Sequence, residues 1–355
     1  MCFIVCYNKL MNKFTGTYAE FGAYLAKKLA ERNHNFDTRV NRRTLNKQLK
    51  IYRKYWPELL EESKAVANYL NMPEDEILYD EIASIVDTQK HHIQIAHEAR
   101  NEACTIFAIH ENGKTFIGRN YDWDPSARNY FQNYDLKIGN SYHYFAFSDE
   151  GTYPGHTKSR TWKLYMEDAV NEHGLYIGLT ASRLHEKYWN YGFSSYHIIR
   201  YIAEHCKTTK EALAVFRKIP VAVPKNFLIA DKSGDIAVIE HAAKDYRILR
   251  PKTFADAEYI IHTNHCLSPE YKKVDPVLKA SPQTNTYLRY EEADYLIRQE
   301  LPNYDFTDTG RILRNSHYVY SEDTIWSLAL ELSEPRLTYY YDTAEGQKEA
   351  NFSFN

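Results

Sequence analysis

The spacing of apolar residues divides the chain into a helical first part and a strand-rich remainder. Before residue 100 the apolar positions recur every three or four residues, which predicts amphipathic helices. Helices are expected from residues 14–17 onward, over 39–70 with a break or a new start at Pro57, and over 74–99. The positions that define the first two are Tyr18, Phe21, Leu25, Leu29, Leu45, Leu49, Tyr52, Trp56 and Leu59.

After residue 103 the pattern changes to runs of β-branched and aromatic residues, which predict strands. The expected strands cover residues 142–147, 162–169, 175–182, 226–231, 236–240, 324–330 and 336–341, and the expected helices cover 194–205, 210–217 and 285–300. Thr209 is expected to cap the second of these helices. The pattern therefore predicts a mixed protein whose helical start precedes a long β-rich part.

The clearest local pattern is Asn112-Gly113 between two strand-like runs. Asn-Gly is typical of a two-residue type I′ turn, because both turn residues need a positive φ. Such a turn fixes the strand register: Glu111 faces Lys114, and the numbers of paired residues sum to 225. Cys104 is therefore expected opposite Tyr121, with Arg119 diagonally beside it on the same face.

The composition is that of an ordinary globular protein and excludes few functions. Of the 355 residues, 44% are hydrophobic and 26% are charged, and the net charge is −3. This weakly acidic balance argues against nucleic acid as a general partner. The basic residues between Arg39 and Lys54 are followed by the acidic run from Glu58 to Glu62, which favours a solvated helix face over a nucleic-acid site.

The cysteines indicate a reducing compartment. Their number is odd, they are scattered, and no pair forms a CxxC motif, so neither a disulfide framework nor a zinc site is predicted. They are Cys2, Cys6, Cys104, Cys206 and Cys266. The apolar start of the chain is too short for a signal peptide, and no run reaches the length of a membrane span. A cytoplasmic protein without a membrane partner is expected.

Two stretches carry a family resemblance. Ala103-Cys104-Thr105, the hairpin and Gly118-Arg119-Asn120-Tyr121-Asp122-Trp123 form the first, and His262-Thr263-Asn264-His265-Cys266-Leu267 forms the second. Both resemble the N-terminal-nucleophile amide hydrolases of the isopenicillin N acyltransferase type, with choloylglycine hydrolases and penicillin V acylase as more distant relatives. The resemblance implies an α+β fold, a four-layer αββα sandwich with two mainly antiparallel sheets.

The resemblance also implies self-cleavage between Ala103 and Cys104. Residues 1–103 would become an α chain and residues 104–355 a β chain, both remaining in one folded domain. The freed Cys104 would supply its thiol as nucleophile and its α-amine as base. An α-amine has a pKa of ~8, so it can accept the thiol proton near neutral pH.

The resemblance assigns roles to further residues. Asn264 would donate to the oxyanion from its side chain and Thr180 from its backbone, although relatives commonly carry Asn at the position of Thr180. Arg119 and Asp122 would orient Cys104 and its ammonium group. Tyr121 and Arg289 would stand in a supporting shell, as would His262 and His265, and Cys266 would be an inert buried thiol. Neither a metal nor an organic cofactor is implied.

Several alternatives stay open at the level of sequence. Cys104 could be a packed core thiol, since free cysteine is often buried, and Cys2 would be N-terminal if Met1 were removed. The fungal acyltransferase has Gly before its cysteine, where this chain has Ala103, and an arginine after the serine that matches Ser321, where this chain has Glu322.

The substrate is expected to be a small-molecule amide or an acyl thioester. Hydrolysis of an N-acyl amide competes with acyl transfer from a donor such as acyl-CoA, because both pass through the same acyl-enzyme. An uncleaved, non-catalytic binding protein is the alternative of another class. The oligomeric state, a homo-oligomer included, stays open.

Overall fold

The architecture was obtained as a computed structural model. It describes residues 11–31, 40–80, 103–123, 125, 128, 131–149, 165–182, 184, 191–222, 224–275, 285–334, 336–343 and 346–354. Cys2 lies outside the described residues, and so do His91, His92 and His97 of the helix predicted over 74–99, which the sequence predicts to be surface or packing histidines. Within those residues, no helix is long and apolar enough to cross a membrane.

The strands of the described residues form two sheets. The strands are β1 (Asn12–Gly16), β2 (Ala103–Glu111), β3 (Lys114–Asp122), β4 (Phe131–Ile138), β5 (Tyr144–Asp149), β6 (Tyr165–Asn171), β7 (Leu175–Ala181), β8 (Lys225–Asp231), β9 (Ile236–His241), β10 (Tyr246–Leu249), β11 (Lys252–Phe254), β12 (Ala257–His262), β13 (Thr324–Glu331), β14 (Arg336–Thr343) and β15 (Gly346–Ser353). The first sheet has the order β1-β4-β5-β6-β7-β8-β9-β10, and the second has the order β11-β12-β2-β3-β13-β14-β15. β1 pairs with β4 in parallel, whereas β2 and β3 pair in antiparallel orientation, as most neighbours do.

Helices flank the sheets. They are α1 (Tyr18–Glu31), α2 (Arg42–Tyr55), α3 (Glu58–Leu70), α4 (Ser195–His205), α5 (Thr209–Lys218), α6 (Pro269–Lys272), α7 (Asn285–Glu300) and α8 (Phe306–Asn315). Residues 74–80 are also helical, which is the described part of the helix predicted over 74–99. Pro57 separates α2 from α3, as its missing N–H and fixed φ predict.

The alternation of side chains along the strands creates three apolar layers. Ile106 and Ala108 of β2 pack against Leu228 and Val238 of the first sheet, so the two sheets are stacked face to face. Phe107, on the opposite face of β2, packs under α7 and α8. The outer face of the first sheet is covered by α1 to α5. The predicted αββα sandwich is confirmed.

The hairpin around Asn112 has the predicted geometry. Asn112 has a φ of 50° and Gly113 a φ of 76°, the two positive values of a type I′ turn. Glu111 pairs with Lys114 and Cys104 pairs with Tyr121. The register predicted from the turn alone is therefore confirmed over the whole hairpin.

Several element boundaries differ from the sequence prediction, and two of the differences concern where a helix begins. Residues 14–17 do not open a helix, because Phe14 to Gly16 belong to β1 and add an edge to the first sheet. The N-cap of α5 is Thr208 rather than Thr209, since the Thr208 side chain accepts from the backbone of Glu211. In contrast, the helix predicted over residues 285–300 is α7.

Candidate active site

Cys104 lies near the start of β2, beyond the end of the ladder that β2 forms with β12. The β12–β2 ladder ends at the pair His262–Ile106, and the residue that would next face Cys104 is Asn264. The Cys104 N–H instead donates to Asn264 Oδ1 at 2.8 Å, and its carbonyl accepts from Arg289 Nη1. Side chains therefore replace a strand at this point, and the nucleophile candidate is held from both sides of its Cα.

Asn264 is fixed in the turn that follows β12. Its Oδ1 also accepts from Arg289 Nη2 at 2.8 Å, and its Nδ2 donates to Ala181 O at 3.2 Å. Its backbone N–H donates to Thr286 Oγ1 at 3.0 Å. Asn264 thus has its acceptor end on Cys104 and its donor end toward the end of β7.

Arg289 reaches the site from α7 and is 2% exposed. Its Nε donates to Asn285 Oδ1 at 2.8 Å, and its Nη1 also donates to Thr105 Oγ1 at 3.0 Å. A planar guanidinium held at three positions cannot rotate freely. The sequence-predicted Arg289 is therefore in direct contact with both Cys104 and Asn264.

Arg119 lies on the inner face of β3, fully buried between the sheets. Its Nε donates to Asp168 Oδ1 at 3.1 Å, and its Nη1 donates to Asn120 O at 2.5 Å. Its Nη2 has no hydrogen-bond partner among the described residues. Burial raises the pKa of the Cys104 thiol, and the charge of Arg119 acts in the opposite direction.

Asp122 faces Ala103 across the β2–β3 pair and is fully buried. Its Oδ1 accepts from Thr324 Oγ1 at 2.7 Å, while its Oδ2 has no hydrogen-bond partner within the described part of the chain. Burial raises the pKa of Asp122 to about 6, against the nearby charge of Arg289. One acceptor oxygen is thus left without a partner, in that part of the chain, on the residue that pairs with Ala103.

Tyr121 forms one wall beside the thiol. Its ring stacks on Trp326, with centroids 4.0 Å apart, and the Arg119 guanidinium lies 5.5 Å from its centroid. The stacking holds Tyr121 in a single orientation opposite Cys104. The ring therefore lies opposite Cys104 and in cation–π contact with the Arg119 guanidinium.

Thr180, near the end of β7, joins the two sheets beside Asn264. Its Oγ1 donates to Thr263 O at 2.6 Å and accepts from Asn226 Nδ2 at 3.3 Å. His262 Nδ1 lies 3.3 Å from the same oxygen. The Thr180 hydroxyl is therefore occupied in holding the turn that carries Asn264.

The two histidines support that same turn. His262 Nε2 lies 3.2 Å from Glu240 Oε1; although burial raises the pKa of Glu240, the hydrogen bond and charge of His262 lower it to about 2. Burial, with the charges of His262 and Arg289, lowers the pKa of His265 to about 3. Cys266 is 1% exposed, and burial raises its pKa. All three residues are buried in or beside the turn that carries Asn264.

The structure adds two acidic residues that the sequence analysis did not single out. Glu167 and Asp168 of β6 are both buried; Asp168 contacts Arg119, and the charge of Glu167 acts on the thiol pKa of Cys104. They follow each other in sequence, where alternation would send them to opposite faces. Nothing in the Met166-Glu167-Asp168-Ala169 pattern identifies them as neighbours of a cysteine more than sixty residues away.

A stacked-sheet sandwich with a cysteine near a strand end, beside an amide and two guanidinium groups, has the architecture expected of N-terminal-nucleophile hydrolases. The chain belongs to the acyl-coenzyme A:6-aminopenicillanic acid acyl-transferase family, whose sequence profile matches residues 108–345. The matched part begins after Cys104 and contains Arg119, Asp122, Asn264 and Arg289. No curated protein sequence matches the chain.

Solved structures similar to the chain include three hydrolases or acylases. A mutant conjugated bile acid hydrolase from Clostridium perfringens is 16% identical, with 71% of this chain and 92% of that chain covered and a TM-score of 0.47. The N-acylethanolamine-hydrolyzing acid amidase ortholog of Caenorhabditis elegans is 15% identical over 71% of this chain and all of its own, with a TM-score of 0.47. Penicillin V acylase from Agrobacterium tumefaciens is 15% identical over 71% and 86%, with a TM-score of 0.46.

Proposed function

We propose that the chain is a self-processing cysteine amidohydrolase that cleaves a small N-acyl amide through an acyl-enzyme on Cys104. The observation that carries the proposal is the open acceptor oxygen of Asp122, buried across the strand pair from Ala103. An unpaired buried carboxylate is costly, and an ammonium group on Cys104 would supply its missing partner. The same residue would then orient the α-amine that serves as base.

In the first reaction, the chain is its own substrate. The thiol Sγ of Cys104 attacks the carbonyl carbon of Ala103, the thiol proton moves to the Cys104 nitrogen, and the C–N bond breaks. The product is a thioester between Ala103 and Cys104. Water then adds to the thioester, the C–S bond breaks, and a carboxylate on Ala103 and a free amine on Cys104 remain.

In the second reaction, the free α-amine of Cys104 takes the thiol proton and the thiolate attacks a substrate amide. The developing oxyanion would be held by the Asn264 amide and by a backbone N–H near Thr180. A preorganised donor of this kind stabilises the transition state by about 3 kcal/mol. The proton passes to the leaving amine, and water hydrolyses the acyl-enzyme. Arg119 beside the thiol favours the thiolate throughout.

The family match supports acyl transfer as a second candidate. Its members are described as acyl-coenzyme A:6-aminopenicillanic acid acyl-transferases, and an amine acceptor would resolve the same acyl-enzyme that water resolves. The two reactions differ in product: hydrolysis yields a free acid and transfer yields a new amide. Feeding an acyl thioester with and without a small amine, and separating the products, distinguishes them.

The first test uses tryptic peptides, because trypsin cuts after Arg100 and Lys114. An uncut chain gives the peptide 101–114, and a chain cut before Cys104 gives the peptide 104–114. We expect the shorter peptide from the wild type and the longer one from Cys104→Ala. The intact masses of the same samples should show two fragments and one chain, respectively.

An uncut wild-type chain would also distinguish between the alternatives. An uncut wild type, with Cys104 unreactive toward a small thiol reagent, would point to a non-catalytic binding protein of the same fold. An uncut wild type with a reactive N-terminal Cys2 would move the nucleophile to that residue. Either result removes Cys104 as the self-activated nucleophile.

A further inference from the structure

Strand β6 carries a β-bulge at Glu167. The register of β6 against β5 shifts by one residue at this point. Met166 and Ala169 both pack on the outer face of the sheet among the helices, although they are three residues apart. Val170 faces the other sheet, as does Asp168. Bulges commonly re-aim a side chain next to a functional site, and this one turns Asp168 inward.

Asp168 is fully buried and meets two donors from different strands. Arg119 Nε donates to both of its oxygens, at 3.1 and 3.2 Å, and the Tyr176 hydroxyl donates to Oδ1 at 2.5 Å. Arg119 belongs to the second sheet and Asp168 to the first, so this ion pair bridges the two sheets. A buried carboxylate with three hydrogen bonds from two groups is a fixed anchor.

The absence of a side chain at Gly178 makes room for this anchor. A Cβ built on Gly178 would lie 2.2 Å from Tyr176 Oη and 2.3 Å from Asp168 Oδ1. Gly178 has no unusual backbone angle that would itself require glycine. The space beside the Asp168 carboxylate, rather than the local backbone conformation, therefore accounts for glycine at this position.

The anchor leaves one end of the Arg119 guanidinium unused. Nε is taken by Asp168 and Nη1 by a backbone carbonyl, whereas Nη2 is buried without a hydrogen-bond partner among the described residues. The charge of Arg119 favours the thiolate form of the adjacent Cys104, with which Arg119 interacts electrostatically. A guanidinium fixed at two of its nitrogens presents the third in one direction.

We propose that Asp168 is a positioning residue for the nucleophile: delivered by the β6 bulge, it holds Arg119 against the Cys104 thiol. The inference rests on the proposed function in so far as Cys104 is the nucleophile. Asp168 does not itself touch the reacting atoms. Its effect on Cys104 passes through Arg119. The direction in which the pKa of the Cys104 thiol changes when Asp168 is removed is therefore diagnostic.

Removal of a carboxylate near a thiol lowers the thiol pKa by direct electrostatics, because the thiolate loses a repulsive neighbour. If Asp168 acts by holding Arg119, Asp168→Ala should do the opposite. We expect the pH midpoint of Cys104 alkylation by iodoacetamide to rise by about one unit, or alkylation at pH 7 to slow about tenfold. Asp168→Asn keeps an acceptor for Arg119 and should not raise the midpoint.

The peptides 101–114 and 104–114 report both labelling and cutting, so each variant is compared with wild type in the same state. Wild-type protein taken early from cell-free synthesis supplies the uncut form. Arg119→Ala should raise the midpoint by a similar amount, and Asp168→Ala added to Arg119→Ala should raise it no further. Gly178→Ala, which displaces the carboxylate without deleting it, should also raise the midpoint.

An unchanged or lowered midpoint in folded Asp168→Ala would overturn the proposal, and so would a full additive shift in the Arg119→Ala background. Thermal unfolding identifies which variants are folded, and if Asp168→Ala is not, the midpoint of Gly178→Ala decides the question by the same criterion. Self-cleavage is scored separately. A chain that is never cut but shows the predicted midpoints would retain the positioning role while removing self-processing.

Discussion

The Asn264 side chain has two chemically distinct ends, and the structure uses each for a different partner. Its oxygen accepts from Cys104 and Arg289, and its nitrogen donates to the carbonyl of Ala181. The acceptor end serves to hold the uncut backbone, whereas an oxyanion requires the donor end. Substitutions that separate the two ends therefore separate a structural role from a catalytic one.

Asn264→Asp keeps the acceptor oxygen and removes the donor. If Asn264 stabilises the oxyanion on Ala103, self-cleavage should slow by about 100- to 1000-fold, followed as the rate at which peptide 104–114 replaces 101–114. The exposed Asn285 is a matched control, because only its acceptor oxygen is seen to contact Arg289. Asn285→Asp should stay within about twofold of wild type, and equal slowing in both variants would contradict the donor role.

The pKa of Asp122 gives a second prediction. Burial raises it from 3.8 to about 6, so the folded uncut chain binds a proton more tightly than the unfolded chain. The free energy of unfolding should therefore fall as pH rises from about 4 to about 6, by at most about 3 kcal/mol. Urea unfolding of Cys104→Ala between pH 4 and 7 measures this loss.

Asp122→Asn in the same Cys104→Ala chain is the control for that titration. An amide does not ionise, so the fall in stability between pH 4 and 6 should become shallower in the double variant. Parallel pH profiles for the two proteins would show that Asp122 does not carry the effect. In a cut chain, an ammonium group beside Asp122 would lower the pKa of Asp122, and the contribution of this residue to stability would then increase rather than fall as pH rises.

At the scale of residues, the sequence identifies the parts of the site that adjoin local motifs. Cys104 and Arg119 are related by a turn between them, and Asn264 lies in a distinctive run of six residues. Asp168 is different, because it reaches the site through a bulge in the other sheet. Strict alternation along β6 does not predict which face it takes, and no short motif links it to Arg119.

At the scale of elements, the β2–β3 register could be predicted because turn geometry is local: Asn112 and Gly113 alone determine which residues face each other. β15 is not predicted by the same means. Most of its residues are exposed, so it has no apolar alternation and is held chiefly by its ladder with β14. Patterning reveals elements that bury a face and misses those that do not.

Gly118 of β3 tests how tightly the hairpin is packed. A Cβ at Gly118 would lie 2.0 Å from the ring of its pair partner Phe107. Gly118→Ala should therefore destabilise the protein by about 1–3 kcal/mol, because the ring must leave its place in the layer under α7 and α8. Urea unfolding gives the value. In a Phe107→Leu background the same change should cost less, and an equal cost in both would exclude the ring as the cause.

At the scale of the whole molecule, the segment before Cys104 is joined to the rest by buried polar contacts. Arg200 of α4 donates to Glu62 of α3 at 2.7 and 3.0 Å and to Glu204 at 2.7 Å. Tyr18 of α1 donates to Glu204 at 2.5 Å. These groups are all buried, and the contacts of Arg200 with Glu62 and of Tyr18 with Glu204 cross the proposed cut.

Arg200→Ala should leave Glu62 and Glu204 buried without their cation. We expect a loss of about 3–5 kcal/mol of stability and, in a cut protein, separation of the two fragments on size exclusion at low concentration. Lys13 and Asp135 form another ion pair across the same junction, with Lys13 80% exposed. Lys13→Ala should change little, and fragments that stay together in Arg200→Ala would refute the role of the cluster.

The N-terminal segment also supplies β1, a parallel edge strand of a sheet whose other strands come from after Cys104. While the backbone is continuous, β1 and β4 belong to one molecule, and their pairing during folding is a loop closure. Once the backbone is cut, the same pairing needs an encounter of two molecules, and its rate depends on their concentration. Self-cleavage would thus make unfolding harder to reverse. An intact chain that unfolds can refold as a single molecule, whereas the two fragments of a cut chain, once separated, must first associate again.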